Sequence, residues 1–217
     1  GLTEFGLSSP ANHETWRRVL PPEEWETWPP GRNSVFIHHT PTYEYVHVDR
    51  MMRYTQEFLK PANLPELIAG MQLAQGLGLK LLIESMRARK PQTTTTYFYK
   101  LTENYPSCSW ATIDYYGVPK RSHYDIREAY APIHVMAIFE DWTTLTLSLH
   151  AVNDTEAPVD AQLTAALFDG QLNIIESETL DVSIPVDRAI MIAEKAYAPA
   201  AATERPLFLR LDLVGEQ

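Results

Sequence analysis

Cysteine and positive charge are both scarce in this sequence. Cys108 is the only cysteine among 217 residues, which excludes an intrachain disulfide and fits a reducing compartment, so we expect a cytoplasmic protein. The 18 basic residues are outnumbered by 28 acidic ones. The resulting net charge of −10 argues against nucleic acid or an anionic membrane surface as the partner.

Long apolar runs and a leader segment are missing as well. No uncharged apolar run approaches the roughly 20 residues that cross a bilayer, so no membrane association is expected. The chain begins at Gly1 rather than at Met and enters an apolar segment directly, without a signal peptide. We therefore expect an internal start within a longer polypeptide that has been shortened or processed.

Apolar residues are plentiful enough for a substantial core. They make up 45% of the chain, and 217 residues suffice for one large domain or two ordinary ones. The composition changes near residue 132, from helical patterns and aromatic loops to short alternating segments. The sequence therefore predicts two domains, which cover residues 1–131 and 132–217.

Helical periodicity dominates the first predicted domain. Pro65 suits the first turn of a long helix, Asn63 is a candidate cap for it, and Gly76 and Gly78 within it indicate close packing. A segment rich in Pro, His and Tyr, residues 29–47, indicates a long irregular loop. The predicted helices cover about 12–20, 48–58, 65–90 and 122–130, and a strand is predicted at 93–101.

Strict alternation of apolar and polar residues marks the second domain. Asp169-Gly170 separates two of the alternating segments and predicts a hairpin. Several short strands at this spacing predict an immunoglobulin-like antiparallel β-sandwich. The alternating apolar positions are Leu145, Leu147, Leu149, Leu163, Ala165, Leu167, Val182, Ile184, Val186, Leu207, Leu209, Leu211 and Leu213.

Two motifs go beyond the level of fold class. The segment Thr3-Glu4-Phe5-Gly6-Leu7-Ser8-Ser9 resembles the end of the seventh barrel strand in glycoside hydrolase family 2. The second motif, within residues 96–132, resembles the eighth strand of the same family and the exit from its barrel. Its residues read Tyr-Phe-Tyr-Lys-Leu-Thr-Glu-Asn-Tyr-Pro, then Ser-Trp-Ala-Thr-Ile-Asp-Tyr-Tyr-Gly, then Tyr-Ala-Pro-Ile. The order of these motifs, with Gln-Leu-Ala-Gln between them, is similar to the β-mannosidase-like branch.

The resemblance implies both a fold and an activity. Residues 1–131 would be strands 7 and 8, with their helices, of a (β/α)8 TIM barrel, and 132–217 would be the C-terminal sandwich. The activity implied is retaining hydrolysis of a terminal β-linked sugar, with Glu4 as the nucleophile and no cofactor. Retaining enzymes need two carboxyl groups about 5 to 5.5 Å apart. The family's acid/base Glu lies in an Asn-Glu pair, and that dipeptide is absent from this sequence.

The partners that follow from this resemblance are a carbohydrate substrate and the rest of the same polypeptide. Without an acid/base group and barrel strands 1 to 6, the chain alone is expected to be inactive. Cut barrel elements expose apolar surface, so self-association of the chain is also expected.

Three further residues are candidates for sugar binding. Tyr99, at the end of the eighth-strand motif, would form the floor under the sugar ring, with core packing as the alternative. Trp110 would contribute to an aromatic platform or to packing. His38 would line a loop near the pocket or be simply exposed. Adjacent residues such as His38 and His39 point in different directions in an extended chain, so no metal site is expected, and the third nearby histidine, His47, does not change this.

Departures from the family pattern leave the sugar open. Tyr99 stands where β-mannosidases usually have Trp, Thr102-Glu103 replaces Asn-Asp, and Thr3 replaces Ser. A β-galactosidase or β-glucuronidase of the same family remains an alternative. A second alternative, of a different class, is a non-catalytic carbohydrate-binding or scaffolding module. The loop acids Glu103 and Asp114 are interpreted as caps of turns.

Overall fold

A computed structural model describes residues 2–41, 45–56, 59–141, 143–197 and 206–215; side chains are described for these residues except 2, 3 and 45–47. The chain divides into two compact units. The first comprises 1–82 and 95–128, and the second comprises 83–94 and 129–217.

Short helices open the first unit. α1 spans His13–Val19, and α2 begins at Pro22, where the fixed φ of proline suits a first helical turn, and ends at Trp25. α3 spans Val35–His38, and Ser34 caps it by accepting a hydrogen bond from the Ile37 amide at 3.2 Å. The predicted irregular loop at 29–47 is therefore wrong in part, because this capped turn and the start of the next helix lie within it.

Two longer helices follow, α4 over Tyr45–Gln56 and α5 over Leu64–Arg87. The predicted end of α4, at 58, lies outside the described residues. Asn63 caps α5 as predicted, since its Oδ1 accepts from the Glu66 amide at 2.9 Å while Glu66 reaches back to the Ala62 amide at 2.8 Å. This is a capping box, which satisfies amides that have no partner inside the helix.

The predicted close packing of the α5 glycines is confirmed. A Cβ on Gly76 would lie 1.9 Å from Oδ2 of Asp125, and one on Gly78 would lie 2.2 Å from a methyl of Leu7. Asp125 belongs to α6, which spans Arg121–Ala129. Gly76 therefore lets α5 and α6 approach closely.

Two strands that pair in parallel lie before and after these helices in the sequence. β1 spans Leu2–Phe5 and β3 spans Thr96–Phe98, with Phe5 opposite Phe98. The strand predicted at 93–101 is thus shorter than expected. Just beyond it, the peptide bond between Tyr99 and Lys100 is cis. A second pair is antiparallel, β2 at Ser9–Pro10 with β4 at Cys108–Ser109.

The core of the first unit is apolar and largely helical. Trp16 is fully buried and packs against Phe36, with ring centroids 4.8 Å apart. The other buried members of this cluster are Ala11, Leu20, Ile37, Val48, Met51, Leu64, Leu67, Ile68, Met71 and Cys108. α5 is long and apolar enough to cross a membrane by length and composition alone, and half of its most apolar window is buried inside the protein.

The second unit contains two antiparallel three-stranded sheets, as predicted for a β-sandwich. One sheet has the order β5-β6-β9 and the other the order β10-β7-β8. Side chains from both sheets meet in one apolar cluster, which includes Leu149 from β6 and Leu163 from β7. The strands are β5 at Ile133–Asp141, β6 at Thr146–Asn153, β7 at Val159–Phe168, β8 at Ile174–Ile184, β9 at Arg188–Ala196 and β10 at Phe208–Gly215.

The Asp169-Gly170 hairpin is confirmed, with a longer loop than a two-residue turn. Asp169 Oδ1 accepts from the amides of Gln171 and Asn173, both at 2.8 Å. Leu172 takes the positive φ of 66°. The side chain of Asp169 therefore organises the loop in the manner of an Asx turn, and the glycine does not supply the left-handed residue. Val186, expected to face inward, is 41% exposed.

Candidate functional site

Glu4 lies near the carboxyl end of β1, with its side chain exposed. The next residue, Phe5, accepts a hydrogen bond through its carbonyl from the Tyr99 amide at 2.8 Å. This bond links the end of β1 to the residue after β3. The predicted site residues Glu4 and Tyr99 therefore both lie at the carboxyl end of the parallel strand pair.

Tyr99 and Trp110 form an aromatic pair at this end. Their ring centroids lie 5.9 Å apart in an edge-to-face arrangement, and Tyr99 is 45% exposed. A ring exposed to this degree next to a half-buried Trp110 can present an apolar face to a sugar ring. The structure therefore pairs Tyr99 with Trp110, and it links Tyr99 through its amide to Phe5, the residue after Glu4.

Position 6 requires a glycine because another segment of the same polypeptide packs closely against it. A Cβ at this position would lie 2.4 Å from the carbonyl oxygen of Tyr99 and 3.0 Å from Cδ1 of Trp110. Backbone atoms cannot move away as a flexible side chain can. The glycine of the Glu-Phe-Gly motif thus permits contact between the segment just after β1, the strand that carries Glu4, and the aromatic pair.

Two glutamines of α5 hold the segment after β1. The buried Gln75 accepts hydrogen bonds from Ser9 Oγ at 2.6 Å and Ser122 Oγ at 2.8 Å, and donates to the Leu7 carbonyl at 2.7 Å. Gln72 donates to the Pro10 carbonyl at 3.2 Å. The Gln-Leu-Ala-Gln segment therefore fixes the backbone that follows the nucleophile candidate. From the sequence alone, this segment indicated only that the motifs occur in the same order as in the family.

A buried ion pair lies beside this segment. Lys120 Nζ is 2.6 Å from Glu103 Oε1, and neither side chain is accessible to solvent. Lys120 also donates to the Ser9 carbonyl at 3.0 Å, while Glu103 accepts from Ser109 Oγ at 3.0 Å and from the Ser107 amide at 3.3 Å. The interpretation of Glu103 as a simple turn cap is therefore incomplete, because its main partner is a distant lysine.

Burial dominates the electrostatics of this pair. Burial raises the pKa of Glu103 against the opposing attraction of Lys120. Burial likewise lowers the pKa of Lys120, although Glu103 favours its charged form. The adjacent Cys108 is fully buried, and burial raises its pKa well above the ordinary value of 9.0. A thiol with this pKa and no exposure is unreactive unless the structure opens locally.

Asp114 caps a turn, as predicted. Its Oδ1 accepts from the amides of Tyr116 and Val118, both at 3.0 Å, and its Oδ2 accepts from Thr15 Oγ1 at 2.7 Å. Gly117 within the turn has a φ of 81°. This carboxylate is thus committed to structure.

His38 is exposed at the end of α3. Its ring contacts His39 edge-on, with centroids 5.9 Å apart, and His39 Nδ1 lies 2.5 Å from the carbonyl oxygen of Pro106. Its role in sugar binding stays a prediction. Within the described residues no group of three His, Cys, Asp or Glu could hold a metal ion, and His47 lies outside the described side chains.

The sandwich carries the decisive sequence match. Residues 145–217 match the family described as Mannosidase Ig/CBM-like domain. The match covers β6 to β10 of the sandwich. No curated protein sequence matches the chain.

Solved structures show the same fold across nearly the whole chain. The β-D-mannosidase from Dictyoglomus thermophilum is similar with a TM-score of 0.83 at 24% identity, covering 98% of this chain and 25% of that one. The exo-chitosanase from Amycolatopsis orientalis is similar with a TM-score of 0.69 at 15% identity, covering 94% of this chain and 26% of that one. A second solved structure of the same enzyme, which names it an exo-β-D-glucosaminidase, gives the same values.

The resemblance to glycoside hydrolase family 2, in its β-mannosidase-like branch, is therefore confirmed. The chain spans about a quarter of the length of the solved structures that it matches. Residues 145–217 are the part that resembles this family by sequence, and the likeness of the remaining residues to these enzymes is one of fold.

Proposed function

We propose that this chain is the C-terminal portion of a retaining exo-β-glycosidase of the β-mannosidase-like kind. Residues 1–131 supply the seventh and eighth β/α units of a TIM barrel, and 132–217 supply the sandwich, which contains the mannosidase Ig-like domain. Glu4 acts as the nucleophile, and Tyr99 and Trp110 contact the sugar. The acid/base carboxyl comes from another part of the same polypeptide.

One observation carries this proposal: β1 and β3 pair in parallel, so Glu4 and Tyr99 both lie at the carboxyl end of this strand pair. Consecutive parallel strands joined through helices are the repeating unit of a (β/α)8 barrel, and active sites of such barrels lie at the carboxyl ends of the strands. The exposed carboxylate of Glu4 and the half-exposed ring of Tyr99 occupy such ends.

The chemistry requires little else of this chain. A carboxylate attacks the anomeric carbon, displaces the leaving group and forms a glycosyl-enzyme, while a second carboxyl group protonates the leaving oxygen and later activates water. Glu4 can serve only as the first of these groups. A chain without the second group binds sugar at most, so the isolated chain is proposed to be inactive.

The substrate is proposed as a terminal β-mannoside. β-Galactoside and β-glucuronide remain alternatives within the family, and β-glucosaminide is a further alternative because one similar enzyme is named both an exo-chitosanase and an exo-β-D-glucosaminidase. A second function, carbohydrate binding without catalysis, is favoured by one specific observation, the match of 145–217 to an Ig/CBM-like domain. A cytoplasmic location stays a prediction.

Trapping of the glycosyl-enzyme tests the nucleophile. In the complete enzyme of which this chain is proposed to be part, a 2-deoxy-2-fluoro-β-mannosyl fluoride should add one sugar mass to the peptide that contains Glu4. Glu4→Gln should prevent labelling and lower kcat for an aryl β-mannoside by at least about a thousandfold, because no covalent intermediate can form. Labelling of a different carboxylate would refute the assignment.

Glu14→Gln is the matched control, since Glu14 is also an exposed glutamate near the start of the chain, in the first turn of α1. It should leave labelling and rate unchanged. The isolated chain should give no turnover, and a rate abolished in it by Glu4→Gln would contradict the half-site proposal. Saturable mannoside binding by the isolated chain that survives Glu4→Ala would favour the binding module.

A further inference from the structure

The Glu103–Lys120 pair joins segments that are distant in sequence. Lys120 precedes α6 and donates to the carbonyl of Ser9, which lies five residues after Glu4 and beyond the end of β1. Glu103 lies in the loop after β3 and accepts from Ser109, the residue before Trp110. One ion pair of 2.6 Å therefore links the chain downstream of Glu4 to the loop that carries the aromatic pair.

Burial of the Glu103–Lys120 ion pair carries a desolvation cost, so fold stability alone does not explain why the pair is charged. Removing two charges from water is so unfavourable that an apolar pair of similar size often gives equal or greater stability. The geometry here offers something that an apolar pair cannot, namely directed hydrogen bonds to the Ser9 carbonyl, Ser109 Oγ and the Ser107 amide. Directional contacts of this kind fix the register and distance between the segments that they join.

We propose that Glu103 and Lys120 are positioning residues that hold the segment after Glu4 against the loop bearing Tyr99 and Trp110. Neither side chain is exposed, so neither touches substrate directly. The catalytic meaning of this arrangement rests on the proposed function, whereas the joining of the two segments does not. The two claims can therefore be tested separately.

The chain contains its own reporter for this arrangement. Cys108 lies between Ser107 and Ser109, which both donate to Glu103, and it is fully buried. It is also the only cysteine in the sequence. A thiol reagent such as 5,5′-dithiobis(2-nitrobenzoate) therefore reads the exposure of β4 and of the core around Cys108 without any engineered label.

The deciding variant is the double change Glu103→Met with Lys120→Met. It removes the charges together and keeps the approximate volume, so stability should stay close to that of the wild type. The hydrogen bonds to Ser9 and Ser109 are nevertheless lost. Cys108 should then react about tenfold faster or more, and the indole resonance of Trp110, assigned with Trp110→Phe, should shift.

The double variant separates positioning from stability. Lys120→Met alone leaves a buried carboxylate without its cation and should lower stability, and even its failure to fold would leave the double variant as the test. The control is Lys80→Gln with Glu128→Gln, which removes a more exposed ion pair between α5 and α6 and should change neither readout. A double variant with wild-type Cys108 protection and an unshifted Trp110 resonance would overturn the proposal.

The same double change in the complete enzyme tests the catalytic consequence. Misplacement of Glu4 should lower kcat about ten- to a hundredfold with a smaller change in KM, because the loss acts on the transition state. If the wild-type enzyme hydrolyses no glycoside, the proposed function fails while the thiol and resonance results still decide the positioning role. A normal kcat beside a freely reactive Cys108 would limit the pair to loop packing.

Discussion

At the scale of single residues, the sequence indicated which positions matter more often than it indicated the contacts that make them matter. Gly6 is visible in the sequence as part of the Glu-Phe-Gly motif, and the structure shows that its lack of a Cβ admits the Tyr99 carbonyl. Asp114 could be predicted as a turn cap because its partners are two and four residues away. The pairing of Glu103 with Lys120 could not be predicted, because the two residues are distant in sequence and no local pattern signals their contact.

Gly6→Ala should destabilise the first unit. A Cβ would lie 2.4 Å from a backbone oxygen, so the turn or the loop must shift, at about 1–3 kcal/mol. The measurement is urea unfolding followed by tryptophan fluorescence, since four of the five tryptophans (Trp16, Trp25, Trp28 and Trp110) lie in this unit.

Gly31→Ala provides the comparison, because nothing lies within 4 Å of a Cβ there. Its effect should stay within about 0.5 kcal/mol. Equal unfolding midpoints for the two alanine variants would show that the Tyr99 carbonyl yields without strain.

At the scale of elements, periodicity predicted whether each segment is a helix or a strand. It did not predict the polar contacts made at the ends of these elements. α5 has the predicted apolar face and cap, yet its last turn serves a polar purpose. Arg87 donates to Asp154 at 2.7 Å, and Lys90, just after the helix, donates to the same carboxylate at 2.7 Å. These contacts tie the end of α5 to the connection after β6 within the second unit.

Asp154→Asn should make the second unit less stable at neutral pH but not in acid. Burial alone would raise the pKa of Asp154, but Lys90 and Arg87 lower it below its ordinary value. The stabilisation is thus complete above the unfolded pKa of about 3.9 and disappears as the pH falls through the lower folded pKa. Because the carboxylate is 40% exposed, the loss at pH 7 should be only about 1 kcal/mol.

Thermal unfolding of the sandwich by circular dichroism, at pH 7 and near pH 2, measures this dependence. The wild type and the Asp154→Asn variant should differ at pH 7 and coincide near pH 2. Asp160→Asn, an exposed carboxylate on β7, is the control and should follow the wild type throughout. A gap between wild type and Asp154→Asn that persists in acid would exclude the ion pair as its cause.

At the scale of the whole molecule, the isolated chain should self-associate. The first unit has an open apolar cavity of about 340 Å³ whose lining includes Leu7, Met51, Leu77 and Leu81. Under the proposed function, the preceding barrel units cover apolar surface of this kind. A chain without them is expected to bury it against a second copy.

Light scattering over a concentration series should show an apparent mass that rises above 24.7 kDa. Leu81→Glu should reduce this rise, because Leu81 is 40% exposed within the cavity lining. Leu172→Glu places the same charge on an exposed leucine at a hairpin loop and should have little effect. A constant monomer mass at all concentrations would contradict the expectation.

The sequence by itself determined the class of each half, the helix and strand patterns, the family resemblance and the candidate Glu4, because periodicity and short motifs are properties of neighbouring residues. Only the tertiary structure decided that Glu4 and Tyr99 lie at the same end of the parallel strand pair, that Tyr99 pairs with Trp110, that Gly6 faces a carbonyl, and that Glu103 pairs with Lys120. These are contacts between residues remote in sequence, whose energies depend on burial and direction. No local pattern records such contacts, so the chain has to fold before they exist.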